Sequence, residues 1–374
     1  MTYEPNVISI GPYHYRKPHL ARMEDFKKRW FENFVKKHHL GIDQFREAIR
    51  PLEEKIRNCY EQPPPPGLEA KANFVDMMVY DGCLVVQLLQ NGHDLNDFSK
   101  HGPHLLDEMQ YDLLLLENQL PFFVLLELYR MITPNLEPQR QICELVAFAL
   151  KFFGRHPLYL PKNTSITHLL HLVHTTFHPS PLGTQAEVEK EVACCFPKNT
   201  ITGYLLHLVH TTFYLSPPEI QPEVAKKEEN LQSSRNRMPS ATELEDAGIH
   251  FSGVSIQNMQ NQEQGGKNKF DITFDNATKE LKIPTLEVHD YTEREFRNYM
   301  VHEQFFPSGE PTYFVDYVIF MDDLINTGKD VELLRKSRII DNWLGNDEAV
   351  SQLPKCLTNW GAAFITVEKS TIRT

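Results

Sequence analysis

The sequence lacks the short motifs that identify the commonest enzyme classes. It has no Gly-x-x-x-x-Gly-Lys-Ser/Thr phosphate loop, no Gly-x-Gly-x-x-Gly dinucleotide loop, no His-Glu-x-x-His and no Gly-x-Ser-x-Gly. These absences remove the usual signatures of nucleotide-binding proteins, zinc proteases and serine hydrolases. A catalytic triad assembles in space and leaves no such trace, so an enzyme with a non-standard site stays open. We predict no catalytic residue and no cofactor.

Paired cysteines are also absent. None of the six cysteines forms a Cys-x-x-Cys pair, and Cys194 and Cys195 are direct neighbours, which is poor geometry for a disulfide. We expect free thiols in a reducing compartment. The first residues, 1–15, have no apolar core of the secretory type, so we expect no signal peptide. A cytoplasmic or peripheral-membrane location follows as an expectation.

Long apolar runs and excess positive charge are missing as well. No window reaches the apolar length of a membrane span, so no transmembrane helix is predicted in this chain. The formal net charge of −12 argues against nucleic-acid binding. Residues 1–60 nevertheless hold 12 Lys and Arg against 8 Asp and Glu, a local charge of +4. Their basic helix, with Lys27, Lys28, Lys36 and Lys37, is predicted to contact a membrane surface or to be an ordinary solvated face.

The most apolar stretch of the chain is residues 113–129, with 12 apolar residues in 17 positions. It is too apolar for a surface helix, and Glu117, Asn118 and Gln119 interrupt it. The pattern predicts a buried central segment that kinks or restarts at Pro121, because a proline ring does not fit inside a helix. Asn118 and Gln119 are predicted to satisfy the backbone at the restart.

Apolar residues at three- and four-residue steps predict further helices. These helices span about 20–40, 43–60, 68–91, 137–153, 290–304, 311–326 and 329–346. Gly41 is predicted to end the first of them. A capping box at Ser240 and Glu243, with Gly248 as the stop, predicts a short helix at 240–248.

Residues 269–288 change to a two-residue period and predict a β-hairpin. Before it, PKNTSITHLLHLVHTTF at 161–177 is repeated with changes at 197–213, which indicates a local duplication. Residues 214–239 are rich in Pro, Glu, Lys and Ser and predict a mobile loop.

The predicted fold is mainly α, a single large helical domain with a minor β-hairpin and a long mobile insertion. The domain is predicted over 1–350. It comprises an N-terminal half at 1–177, an insertion with the duplicated helix at 178–239 and a C-terminal part at 240–350, and a truncated tail follows at 351–374.

Several blocks resemble the plant "domain of unknown function 247" family. They are VISIGPYHYRKPHLARME (7–24), FVDMMVYDGC (74–83), LLLLENQLPFFVLLELY (113–129), SATELEDAGIHF (240–251), FDITFDNATKELKIPTLEVHDYTEREFRNYMVHEQ (270–304) and FMDDLINTGKDVELLRKSRIIDNWLGNDEAV (320–350). The resemblance implies an uncharacterised plant protein. Members usually carry a C-terminal membrane anchor, which is missing here, and some have proposed recognition roles.

Two groups of side chains are candidates for chemistry. His168, His171 and His174 fall on one face of a helix, where three imidazoles can bind zinc or copper or can simply be the wet face of an amphipathic helix. Glu117 in the apolar segment is either a carboxylate with a raised pKa or a structural group paired with an arginine. Asp76 with Asp81, and Asp322 with Asp323, do not make a convincing catalytic pair.

The function that the sequence favours is a non-enzymatic plant interaction or signalling protein with an unknown protein partner. The alternatives are an uncharacterised enzyme with a non-standard site and a nonfunctional truncated copy of a family member.

Overall fold

The computed structural model describes residues 4–60, 67–91, 103–155, 166–177, 238–255, 270–305 and 312–365. Helices dominate these residues, as the mainly α prediction requires, and two small sheets accompany them. Residues 197–213 and 214–237 of the predicted insertion lie outside the described part of the chain. The four cysteines that the structure describes, Cys59, Cys83, Cys143 and Cys356, are unbridged, as predicted.

Seven helices build the N-terminal half of the described chain. They are α1 (Ala21–His38), α2 (Ile42–Ile49), α3 (Glu53–Arg57), α4 (Lys71–Asn91), α5 (Pro103–Asp112), α6 (Phe122–Ile132) and α7 (Pro138–Phe152). Short 3-10 turns precede α1 and connect α2 to α3 at Pro51.

Helix α1 has the buried aromatic stripe that the sequence predicts. Trp30, Phe31 and Phe34 face the interior. The helix ends at His39, which takes a left-handed backbone with φ of 54°. The prediction that Gly41 ends this helix is therefore wrong. Gly41 has an extended backbone and caps the start of α2 instead.

Helix α4 lies at the centre of the first core, the buried apolar cluster formed by the N-terminal half, and packs against α1, α2, α6 and α7. Gly82 gives α6 room to approach, because a Cβ at this position would collide with the side chain of Leu128. Among the described helices, α4 is long and apolar enough to cross a membrane, but 78% of its apolar window is buried by protein. Such burial is also usual for a core helix, so the finding is weak support for a membrane span.

The central apolar segment breaks where the sequence predicts. Helix α5 ends at Asp112, and α6 begins at Phe122 with Pro121 as its cap. The side chain of Gln119 donates to the carbonyl oxygens of Leu113 and Leu115, at 2.7 and 2.8 Å. The side chain of Asn118 donates to the Asp112 carbonyl oxygen at 2.9 Å. Both amides therefore satisfy backbone groups at the break, as predicted, but they do so at the end of α5 and not at the restart in α6.

The second half combines helices with short strands. Its elements are α8 (Leu169–Thr175), α9 (Ala241–Asp246), β1 (His250–Val254), β2 (Thr273–Asp275), β3 (Glu280–Pro284), β4 (Leu286–Val288), α10 (Thr292–Phe305), α11 (Tyr313–Leu324), α12 (Gly328–Lys336), β5 (Ile340–Asn342) and α13 (Asp347–Ile365). The capping box of Ser240 and Glu243 opens α9, as predicted.

The predicted hairpin is the antiparallel pair of β2 and β3, with Phe274 opposite Leu281. The sequence analysis did not predict β1, which adds to β3 in parallel with Gly253 opposite Ile283. A Cβ on Gly253 would collide with the backbone of Arg338, so glycine is required for this close approach.

The predicted helix at 329–346 is wrong beyond Lys336. Arg338 adopts a left-handed backbone with φ of 60°, and Ile340 to Asn342 form β5, which pairs in parallel with β4. The predicted tail at 351–374 begins within α13 (Asp347–Ile365). This helix packs against α10, α11 and α12.

Helix α8 joins the two halves. Leu169 and Leu172 belong to the first core, whereas Leu170 and Val173 belong to the second core, the apolar cluster of the C-terminal half. Since residues one apart on a helix point in different directions, this short helix is buried from both sides. The described chain is therefore one helical body with a small β component.

Candidate functional site

The three histidines that the sequence analysis gave as candidate metal ligands lie at the junction of α8 and α10. His168 caps the start of α8, where its Nδ1 accepts a hydrogen bond from the His171 amide at 3.1 Å. His302 of α10 joins the group. Its ring centroid is 5.3, 5.1 and 5.0 Å from those of His168, His171 and His174, respectively.

The histidine cluster also includes a buried carboxylate. Glu303 Oε1 accepts hydrogen bonds from His174 Nε2 and from the Phe314 amide, both at 2.9 Å. Its Oε2 accepts from the Val315 amide at 3.0 Å. This carboxylate therefore stabilises the start of α11, where free amide groups and the helix dipole favour negative charge.

Burial lowers the pKa of His168 to about 3, and the neighbouring His171 and His174 act in the same direction. The imidazole of His168 is therefore neutral at pH 7. Within the described ranges, no group of three or more His, Cys, Asp or Glu side chains is arranged to hold a metal ion. The sequence analysis predicts no metal site, and the candidate ligands His168, His171 and His174 have no geometric support for metal binding in the part of the chain that is described.

Glu117, the second candidate, lies beside His14. The Glu117 Oε2 atom is 3.5 Å from His14 Nε2. Burial raises the pKa of Glu117 and lowers that of His14 to about 4, so the His14 imidazole is neutral at pH 7. The arginine partner predicted for Glu117 is replaced by this histidine.

The aspartates of α4 form separate ion pairs. Asp76 accepts from Arg46 at 2.7 and 2.8 Å in a two-pronged pair. Asp81, 1% exposed, accepts from Lys27 Nζ at 2.7 Å and from the Gly11 amide at 2.9 Å. Burial raises the pKa of Asp81 to about 6, against the opposing effect of Lys27. The two carboxylates thus hold other segments in place.

The predicted position of Lys27 on the surface is wrong. Its side chain is 1% exposed, where the sequence analysis placed it on a membrane-facing surface. Burial alone would lower its pKa, but the carboxylates of Asp81 and Glu24 outweigh this effect and the pKa is raised. Lys28, Lys36 and Lys37 are exposed on α1, and their membrane contact stays a prediction.

A row of stacked aromatic rings forms a third candidate site, which was not predicted from the sequence. We define the aromatic surface as Tyr111, His289, Tyr291 and Trp343. The Trp343 ring stacks on His289 with centroids 5.4 Å apart, and His289 stacks on Tyr291 at 5.0 Å. Tyr291 in turn stacks on Tyr111 at 4.0 Å. The four rings form a continuous row, and Trp343 at its end is 66% exposed.

Short backbone elements hold this row. The Trp343 amide donates to the Val288 carbonyl oxygen at 3.0 Å and so extends the pairing of β4 and β5. The His289 amide donates to Thr292 Oγ1 at 2.9 Å at the start of α10. Burial and a hydrogen bond with Tyr291 raise the pKa of Tyr111, which is therefore a neutral phenol at pH 7.

Two carboxylates lie on the same face of the small sheet as the rings. Glu287 of β4 is directly opposite Asp341 of β5 in the parallel register, and both residues are exposed. His289 and Trp343 follow them two positions later, and side chains two apart on a strand share a face. This face therefore combines an acidic pair with an aromatic pair.

The signal for the aromatic surface was present in the sequence as two short alternations. Glu287, His289 and Tyr291 recur at every second position, and so do Asp341 and Trp343. The sequence analysis assigned residues 329–346 to a helix, and this assignment concealed the second alternation.

The chain belongs to a family of plant proteins whose activity is not known. The model of the family DUF247, described as "Plant protein of unknown function", matches residues 1–372. The chain is similar to UPF0481 protein At3g47200 of Arabidopsis thaliana, with 29% identity over 373 residues, which cover 95% of this chain and 69% of that protein. It is also similar to Putative UPF0481 protein At3g02645 of Arabidopsis thaliana, with 20% identity over 411 residues, which cover 94% of this chain and 74% of that protein. No solved structure matches significantly.

Proposed function

We propose that the protein is a non-enzymatic interaction protein that binds a protein partner through the aromatic surface. The observation that carries this proposal is the position of Trp343. A tryptophan that is 66% exposed contributes little to the hydrophobic stabilisation of its own fold. Trp and Tyr are also the side chains that most often dominate binding energy at protein interfaces.

The ordering of the aromatic surface supports the same proposal. Stacking on His289 and pairing of the Trp343 backbone with Val288 limit the rotamers of the exposed ring before a partner binds. Interfaces gain affinity when such side chains are already ordered, because less conformational entropy is lost on association. A rigid aromatic row on strand ends is thus suited to recognition.

We also propose a role in signalling, because some members of the family that the sequence resembles have proposed recognition roles. The location that we propose is cytoplasmic or peripheral to a membrane. Lys28, Lys36 and Lys37, all exposed on α1, would supply the membrane contact. Three of the four rings of the aromatic surface come from the second half of the chain, whereas α1 belongs to the first half, so membrane contact and partner binding would use different parts of the molecule.

Site-specific photo-crosslinking tests the proposal. The photoreactive residue benzoylphenylalanine replaces Trp343 in one preparation and the exposed Lys37 in a control, and each purified protein is irradiated in plant leaf extract. We expect a discrete cross-linked species from position 343 that is absent from position 37. Excess wild-type chain should abolish this species, whereas excess Trp343→Ala chain should not. Equal competition by the two chains would contradict the proposal.

A further inference from the structure

The face of the small sheet that carries Trp343 has an unbalanced charge. Glu287 and Asp341 lie directly opposite each other on neighbouring strands, and like charges in this position repel. The nearest basic group given by the structure is His289, whose Nε2 is 3.7 Å from Glu287 Oε2. Over the described ranges of the chain, no lysine or arginine lies within ion-pair distance of either carboxylate.

The charge pair and the exposed ring lie next to each other. Asp341 and Trp343 are two positions apart on one chain, so their Cα atoms are about 6.6 Å apart along an extended strand. A guanidinium group that lies over the Trp343 ring can therefore also reach the carboxylates of Glu287 and Asp341 on the same face. Arginine suits both contacts, because its planar group stacks on aromatic rings and donates two parallel hydrogen bonds to a carboxylate.

We propose that Trp343, Glu287 and Asp341 bind a basic peptide segment of a partner protein, with an arginine side chain stacked on Trp343 and paired with the two carboxylates. This proposal rests on the proposed function and names the chemistry of the partner. The charge of the whole chain agrees with it. The net charge is −12, while residues 1–60 carry +4, so the remainder carries −16 and attracts a basic segment over a distance.

Fluorescence anisotropy of a labelled arginine hexapeptide in 0.15 M salt tests this proposal. Two variants remove the contacts, Trp343→Ala and the double variant Glu287→Gln with Asp341→Asn. A matched double variant, Asp25→Asn with Glu32→Gln, removes the same charge from two exposed positions of α1. Lysine and glutamate hexapeptides are the probe controls.

We expect wild type to bind the arginine peptide and not the glutamate peptide. Each contact variant should weaken binding by about tenfold, because it removes either the ring on which the guanidinium group stacks or the carboxylates with which it pairs. The Asp25 and Glu32 variant should stay within about twofold of wild type, because exposed charges farther away than about 8 Å are screened. The lysine peptide should bind more weakly than the arginine peptide.

Equal affinity of wild type and Trp343→Ala, or an equal loss in the two double variants, would overturn the basic-peptide proposal. The same holds if wild type does not bind the arginine peptide. If cross-linking at position 343 is still specific in that case, the proposed function stands and only the partner chemistry is wrong. If cross-linking also fails, both proposals fall.

Discussion

The Lys27–Asp81 pair of the first half and the group of Glu287, Asp341 and Trp343 of the second half place charged and aromatic side chains in opposite environments. In the first half, Lys27 and Asp81 are each 1% exposed and hold the N-terminal segment against α4. In the second half, Glu287, Asp341 and Trp343 are exposed. The buried Lys27–Asp81 pair has a structural role, because it holds separate segments of the chain together. The exposed and ordered side chain of Trp343 has no comparable structural role, and this difference favours a role in binding.

The junction between the two cores, like the first core, contains a buried charged side chain that holds separate segments of the chain together. Asp112 at the end of α5 accepts from the amides of Asn6, Val7 and Ile8 at 2.9, 2.7 and 2.9 Å. Arg294 of α10 donates to the same carboxylate at 2.7 Å. One buried side chain thus connects the N-terminal segment, the central segment and the second core. We expect substitutions in the first core and at the junction to act on stability, and substitutions on the aromatic surface to act on binding.

The largest expected effect comes from Lys27→Met. Loss of the ammonium group leaves Asp81 as an unpaired buried carboxylate, which costs about 3–5 kcal/mol of unfolding free energy. Chemical denaturation followed by circular dichroism measures this cost. Lys28→Met, which changes the exposed neighbour, should stay within about 0.5 kcal/mol of wild type. Similar values for the two variants would show that the buried pair does not hold the first core.

A smaller loss is expected for Asp112→Asn at the junction. The amide keeps the shape of the side chain but loses the charge that pairs with Arg294 and one of the accepting oxygens. Hydrogen bonds to charged groups are worth about 1.5–3 kcal/mol each, so we expect a loss of about 2–3 kcal/mol. Asp107→Asn, on the exposed face of the same helix, is the control. A loss no larger than that of the control would contradict the role of Asp112.

The pH dependence of stability tests the burial of His168. The folded pKa is about 3, whereas an unfolded histidine titrates near 6.5. The contribution of His168 is therefore complete above pH 6.5 and is lost as the pH falls towards 3. Below about pH 6 the slope from this residue is about 1.4 kcal/mol per pH unit.

The variant His168→Asn keeps a capping side chain for α8 and removes this titration. Urea unfolding at pH 7 and pH 5 should then show a smaller loss of stability than in wild type. His39→Asn changes an exposed histidine to a residue that tolerates the left-handed backbone at that position, so it should retain the wild-type slope. An unchanged slope in His168→Asn would refute the assigned pKa shift.

Trp343→Ala is expected to change stability least. Because the side chain is mainly exposed, thermal denaturation should show a change below about 0.5 kcal/mol. Phe314→Ala in the second core, where the ring is 0% exposed, should cost about 3–5 kcal/mol. A large loss of stability in Trp343→Ala would mean that this residue belongs to the core and not to a binding surface.

The sequence alone was sufficient to predict those elements whose structure depends on neighbouring residues. The stripe of Trp30, Phe31 and Phe34, the break at Pro121 and the capping box of Ser240 and Glu243 each depend on neighbouring residues. The hairpin of β2 and β3 is local as well. The sequence analysis also recognised that His168, His171 and His174 lie together.

Sequence reasoning failed where a distant segment decided the structure. Ile339 and Ile340 fit a helical period as well as a strand, and the choice is made by β4, which lies more than 50 residues earlier in the chain. For the same reason no single window of the sequence brings Tyr111, His289, Tyr291 and Trp343 together, and each of the two short alternations shows only part of the row. Lys27 was misplaced because its partner Asp81 comes from another helix.

Thermal unfolding with and without saturating arginine hexapeptide, for wild type and Trp343→Ala, tests the separation of stability from binding most directly. A ligand that binds only the folded state raises the midpoint temperature. Wild type should show this rise, and Trp343→Ala should begin at the same midpoint and show none. An equal rise in the two proteins, or a lower starting midpoint in the variant, would contradict the assignment of Trp343 to binding.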